Sequence, residues 1–209
     1  MRFVASFYAI HSVADSLASY LRYAYQADQA KPEHSSLLPS CDFAVLSSGE
    51  MGDVGEGEDA PVKPRVSLYM YRATVNEHLR NQPLGARPSD APPPLALDLH
   101  FLLTVWSDKV EDELRIMGWT MLKLHTHQIL GASDLTEEGK FGPDEVIHVI
   151  PAELSNEDLM RIWDAIRRPY CLSASYIARV VRLEDLGTYD PAKPVLARRF
   201  EVQGKGGGS

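Results

Sequence analysis

The sequence predicts an α+β protein, a mixed β-sheet with flanking helices packed mainly on one face. Two observations supply the sheet: residues 94–107 (PLALDLHFLLTVWS) and residues 65–75 (RVSLYMYRATV) are long apolar runs with strand periodicity and strand-forming residues. A third supplies the helices, since the segments before and after these runs repeat their apolar residues every three or four positions. Strands mixed with helices in this order place the chain in the layered class with a sheet of mixed direction.

The run at 94–107 is the element around which the others are arranged. Leu95, Leu97, Leu99, Phe101, Leu103 and Val105 fall on one face by the period of two, an unbroken apolar row. The other face carries Ala96, Asp98, His100, Leu102, Thr104 and Trp106, polar at the start and apolar toward the end, so it is partly covered. Pro92, Pro93 and Pro94 cannot donate to a ladder, which sets the start of the strand at about Leu95.

Ahead of the strands, Phe3, Phe7, Ile10, Ala14, Leu17, Leu21 and Ala24 share one stripe of a helix from about residue 4 to about residue 27. Pro32 and Pro39 mark a connecting loop, and residues 41–46 (CDFAVL) read as a short strand. Residues 47–64 are acidic and rich in glycine, with Glu50, Asp53, Glu56, Glu58 and Asp59. Their spacing departs from a calcium loop, and a solvated hairpin tip or mobile loop is expected. Residues 76–94 form a loop too long to be inert in a compact domain.

Beyond the central strand, Asp108 stands where a helix cap belongs, followed by Glu111, Asp112 and Glu113, which suit the positive end of a helix dipole. Val110, Leu114, Met117, Met121 and Leu124 make the expected buried stripe. A short strand follows at 145–150. A helix then starts at Ser155 and Asp158, with Leu159, Ile162, Trp163 and Ile166 inward, and Pro169 ends it. Residues 170–184 return as a long strand, and residues 195–202 as a last extended segment.

At 209 residues, 44% apolar and 24% charged, the chain has enough material for one core. We expect a single domain over 1–203 and a flexible Gly-rich tail over 204–209. A net charge of −8 with dispersed Lys and Arg argues against a nucleic-acid partner. No apolar run is long enough for a membrane span, and the start reads as mature structure with cytoplasmic synthesis. Cys41 and Cys171 are read as buried thiols in a reducing compartment, and no cofactor or metal site is expected. His125 and His127 point about 200° apart on their helix and cannot share an ion.

One pair resembles catalytic machinery. Asp98 and His100 are neighbours on one strand face, and pairing would raise the imidazole pKa and orient it as a base. No nucleophile elbow, phosphate loop, HExxH or Cys–His signature accompanies them. From the residues alone, a small enzyme using this pair and a free-standing adaptor both stay open, beside a structural role.

Residues 67–82 (SLYMYRATVNEHLRNQ), 92–106 (PPPLALDLHFLLTVW) and 167–181 (RRPYCLSASYIARVV) together resemble the cap, or tube-terminator, proteins of extracellular contractile injection systems. These are phage-tail-like particles such as antifeeding prophages and Photorhabdus virulence cassettes. The resemblance runs through Leu68, Tyr69, Tyr71, Asn76, Leu79, Arg80, Asn81, residues 95–100, Leu102, Leu103, Thr104, Pro169, Tyr170, Leu172, Ser173 and Tyr176. The acidic segment around 50–59 departs from it. The resemblance implies a fold similar to phage tail terminators and a non-enzymatic assembly protein. It also implies a hexameric ring of this chain that contacts an inner-tube protein and a sheath protein, in a particle assembled in the cytoplasm and released extracellularly. For the ring contacts, the candidate residues are Asn76, Arg80, Asn81 and Arg87 in the long loop. Val195, Leu196, Phe200 and Val202 join them, in a tail expected to add as an edge strand to the next subunit.

Overall fold

The computed structural model describes residues 5–54, 64–76, 94–143 and 145–184. Along them run α1 (Ala9–Gln29), β1 (Asp42–Val45), α2 (Ser48–Asp53), β2 (Arg65–Val75), β3 (Leu95–Trp106) and α3 (Val110–Thr126). After these come β4 (Ile129–Leu130), a 3-10 turn (Glu137–Gly139), β5 (Ile147–Pro151), α4 (Asn156–Ile166) and β6 (Ser173–Leu183). The six strands form one mixed sheet in the order β1-β2-β3-β6-β5-β4. The β1–β2 pair is parallel and every other pair is antiparallel. This is the expected α+β architecture, with β3 near the middle and β2 and β6 as its neighbours.

The helices occupy both faces of the sheet, which corrects the expectation that one face carries most of them. On the first face, Leu97, Leu99, Phe101, Leu103 and Val105 of β3 pack with α1 and α3. On the second, Leu102 and Trp106 pack with Met51 of α2 and with Trp163 and Ile166 of α4. Each large apolar side chain so buried contributes about 1.5–3 kcal/mol. The apolar end of the even-numbered row is long enough to require its own cover.

Four local expectations change. Residues 47–53 contain α2 instead of a loop: Ser47 Oγ accepts the Glu50 backbone N–H at 3.3 Å, and Glu50 Oε2 accepts the Ser47 N–H at 2.8 Å. That reciprocal cap pins a short helix despite its two glycines. α1 begins at Ala9 instead of about residue 4, leaving Phe7 74% exposed ahead of it. In α3 the buried residues are Ile116, Met117, Thr120 and Leu124, while Val110, Leu114 and Met121 are exposed. The Thr120 hydroxyl donates to the Ile116 carbonyl at 2.7 Å, so a polar residue is satisfied inside and the stripe is rotated. Asp108 does not cap α3: Lys109 holds the N-cap position with no side-chain bond, and the Lys109 N–H donates to Ser107 Oγ at 3.2 Å.

A buried carboxylate ties α1 to α3. Asp28, 6% exposed, accepts from Lys31 Nζ at 2.7 Å through Oδ1, and from Trp119 Nε1 at 3.0 Å and Lys123 Nζ at 2.7 Å through Oδ2. The hydrogen bond from Lys123, followed by that from Lys31, holds the carboxyl well below the usual carboxylate range. Its stabilising effect is therefore complete above the unfolded carboxylate pKa of about 4 and is lost as pH falls below it toward the folded value. Urea unfolding followed from pH 7 to pH 2 should show this: Asp28→Asn lowers stability at pH 7 by about 2 kcal/mol. It also flattens the decline at acid pH relative to the parent chain.

Candidate assembly interface

Of the interface residues expected from sequence, Asn76 lies within the described residues, where β2 ends and β3 begins. Asn76, one residue beyond β2, is 8% exposed. Its N–H donates to the Ala96 carbonyl at 2.8 Å, and its Nδ2 donates to the two Asp98 oxygens at 3.0 and 3.2 Å. It is thus a buried brace between the end of β2 and the start of β3. Arg80, Asn81, Arg87, Val195, Leu196, Phe200 and Val202 lie outside the described residues.

Asp98 is the centre of this end of the sheet. Its Oδ1 also accepts the Val180 backbone N–H at 3.2 Å, and Arg179 Nε stands 3.7 Å from Oδ2. Val180 has φ 69°, a left-handed conformation that a β-branched side chain rarely adopts. The strand registers explain it: Leu97 pairs with Val181 and Leu99 with Ala178, so Arg179 and Val180 together face Asp98 in a β-bulge. On the other side of β3, Met70 pairs with Phe101 and Arg72 with His100, which makes Tyr71 and Arg72 a second bulge. No glycine marks either bulge in the sequence. Both therefore escape a reading based on residue type.

Asp98 and His100 share a strand face, as expected, but they are partnered separately. The Nε2 of His100 shares a hydrogen bond with Thr74 Oγ1 at 3.1 Å, and the Tyr71 ring meets the imidazole edge-on with centroids 5.8 Å apart. The pKa of His100 is lowered, against the expected rise: burial is the largest cause and Arg72 the next, and they outweigh the opposing pull of Asp98. This geometry holds a neutral imidazole against the Thr74 hydroxyl and apart from the Asp98 carboxylate, whose partners are Asn76, Arg179 and Val180.

Two open cavities flank α4. One of about 520 Å³ lies between α4 and the sheet, where Tyr69, Tyr71, Arg72 and His100 face Arg161 and Ile162. The other, of about 550 Å³, is lined by Trp106, Arg168, Tyr170 and Cys171. Arg168 lies over the Trp106 ring, 5.7 Å from its centroid, and donates to the Gly52 carbonyl at 3.3 Å. Burial pushes the Cys171 thiol up, away from a reactive thiolate. Cys41 and Cys171 stand outside any disulfide and are only partly buried, less enclosed than expected. Among the described residues, no group of three or more His, Cys, Asp or Glu side chains could hold a metal ion, and no helix is long and apolar enough to cross a membrane.

The outer edges of the sheet are short and guarded. The N–H groups of Asp42 and Leu46 point toward β2, so the Phe43 carbonyl points outward, where Arg22 Nη2 donates to it at 2.6 Å. The opposite edge, β4, has two residues.

The sequence profile of the family described as the Pvc16 N-terminal domain matches residues 12–197 of this chain. Among solved structures, the chain is similar to the sheath/tube terminator of PVC, an extracellular contractile injection system, in its extended state. The TM-score is 0.57 at 18% identity, over 96% of this chain and 65% of that one. This chain therefore spans slightly less than two thirds of the terminator's length. A further similarity, to the tube-terminating cap of the anti-feeding prophage, has a TM-score of 0.45 at 17% identity over 73% of this chain and 58% of the other. No curated protein matches the chain.

Replacing Asp98 with Ala leaves the Val180 N–H, the Asn76 amide and the Arg179 guanidinium without their shared acceptor, at a cost of about 2–3 kcal/mol. A glycine at position 180 accepts the left-handed backbone freely. Denaturant titrations of a double-mutant cycle should therefore show that Val180→Gly costs less in the Asp98→Ala background than in the parent chain.

Proposed function

This chain belongs to the family of the Pvc16 N-terminal domain, and we propose that it is a structural subunit closing the distal end of the inner tube of a contractile injection system. The observation that carries this reading is the family match over residues 12–197, supported by the shared fold of the PVC sheath/tube terminator. The separate partnering of Asp98 and His100 fits a structural subunit better than an enzyme. In this reading six copies form a ring on the last layer of the tube, contact the tube protein and anchor the sheath. The particle assembles in the cytoplasm and is released. Electron micrographs of particles from a strain lacking this gene should show tubes of ragged or unregulated length and unstable sheaths. Intact particles of normal length would overturn the reading.

The ring contacts are proposed to be heterologous, since head-to-tail contacts generate rings. Arg80 and Arg87 are the proposed charge partners for a neighbouring subunit, in the sequence that follows Asn76. The 195–202 tail is the favoured fastener, because strand addition supplies backbone hydrogen bonds, whereas an exposed ion pair is worth about 0–1 kcal/mol. An incoming strand at β1 takes the place of Arg22 at the Phe43 carbonyl. Light scattering after size exclusion is expected to find a folded monomer when the chain is truncated before Lys193. Arg80→Glu combined with Arg87→Glu weakens assembly chiefly at low salt. A truncated chain that still forms the same ring would transfer the fastening role to the loop.

A further inference from the structure

The cavity between α4 and the sheet owes its chemistry to a bulge. Strict alternation along β2 would send Tyr71 and Arg72 to opposite faces of the sheet. Instead Met70 pairs with Phe101 and Arg72 with His100, so the extra residue resets the alternation and both side chains line the cavity. Tyr69 and Tyr71 make its floor, together with the neutral imidazole of His100 and with Ile177 of β6, and Ile162 of α4 stands over them. The space is about 520 Å³, within the range of small-ligand sites.

Charge on these walls is unevenly satisfied. Arg161 is held by Glu157 at 2.6 Å, and Asp158 accepts the Ser155 hydroxyl at 2.7 Å in the first turn of α4. Among the described residues, the side chains of Arg72 and Glu153 and the hydroxyl of Tyr69 make no hydrogen bond or ion pair, although all three line the cavity. Arg72 comes from β2 and Glu153 follows β5, with β3 and β6 between them. Three strand spacings, about 14 Å, separate those two strands, so the cavity has a cationic end and an anionic end.

We propose that this cavity binds a carboxylate carried on an aromatic or aliphatic body, the chemistry shared by a peptide C-terminus with an apolar last residue and by a free aromatic acid. The planar fork of Arg72 takes the carboxylate as a bidentate pair, with the Tyr69 hydroxyl as a second donor on the same strand. The apolar body covers Tyr71 and Ile162, both only half-buried in the chain alone. Glu153 at the far end selects against a second negative charge, so a phosphate dianion fits worse than a carboxylate. The residues that form the site all come from one copy of the chain, so occupancy is read independently of how copies assemble.

Isothermal titration calorimetry and ligand-observed NMR on the full-length chain test the site. Phenylpropionate should bind with a dissociation constant below about 2 mM, and its amide at least about tenfold more weakly. Arg72→Ala should weaken phenylpropionate at least about tenfold. Arg72→Lys keeps the charge without the fork and should lose several-fold, as should Tyr69→Phe. Arg72 is exposed and has no partner to lose, so circular dichroism should show its variants folded and melting with the parent. Phenethyl phosphate should bind the parent more weakly than phenylpropionate does and gain several-fold in Glu153→Gln. An acetylated tripeptide ending in phenylalanine that binds at least about tenfold tighter than phenylpropionate assigns the ligand to a protein C-terminus, and equal affinity assigns it to a free acid. The proposal is overturned if neither the peptide nor phenylpropionate binds at about 10 mM, if acid and amide bind equally, or if Arg72→Ala binds as the parent does.

Discussion

A strand buried on both faces sets the terms for the whole molecule. In β3 the odd-numbered row is apolar throughout, and the even-numbered row ends in Leu102, Thr104 and Trp106, all buried. Burial of both rows requires helices above and below, which α1 with α3 and α2 with α4 supply. It also requires every polar atom on the inner strands to find a partner without water. Thr104 Oγ1 shares a hydrogen bond with Ser173 Oγ at 2.9 Å, Trp106 Nε1 donates to Ser67 Oγ at 2.8 Å, and the Tyr71 hydroxyl bonds Ser175 Oγ at 2.9 Å. The serines of β2 and β6 thus make a two-sided core compatible with the polar residues of the middle strands.

Much of this was legible because periodicity and punctuation agree. The limits of β2 match the run at 65–75, Pro92 to Pro94 place the start of β3, and Ser155 with Asp158 marks the start of α4. Where residue type and context disagree, the reading fails. The glycines of 47–53 conceal a capping box that Ser47 and Glu50 spell three residues apart. The burial of Thr120 through its own backbone bond rotates α3 away from the stripe its larger apolar residues define.

The site was legible in part for a related reason. Alternation places Asp98 beside His100, but the partners of each come from β2 and β6, and strand pairing between distant segments is invisible to a local pattern. The bulge at Val180 is held by tertiary contacts against its residue's preference. The same contacts hold the end of β2 beside the start of β3. The Asn76 amide, the Asp98 carboxylate and the Val180 N–H join three strands at one point.

The guanidinium of Arg22 on the Phe43 carbonyl has a kinetic meaning as well as a structural one. An open strand edge recruits any extended chain, and chains waiting at high local concentration are the ones most exposed to that error. By occupying the outward carbonyl of β1, Arg22 sets a toll at that one atom: the guanidinium has to yield before this carbonyl accepts a backbone N–H from an arriving strand. A strand that pairs there therefore has to outcompete a charged donor at this position.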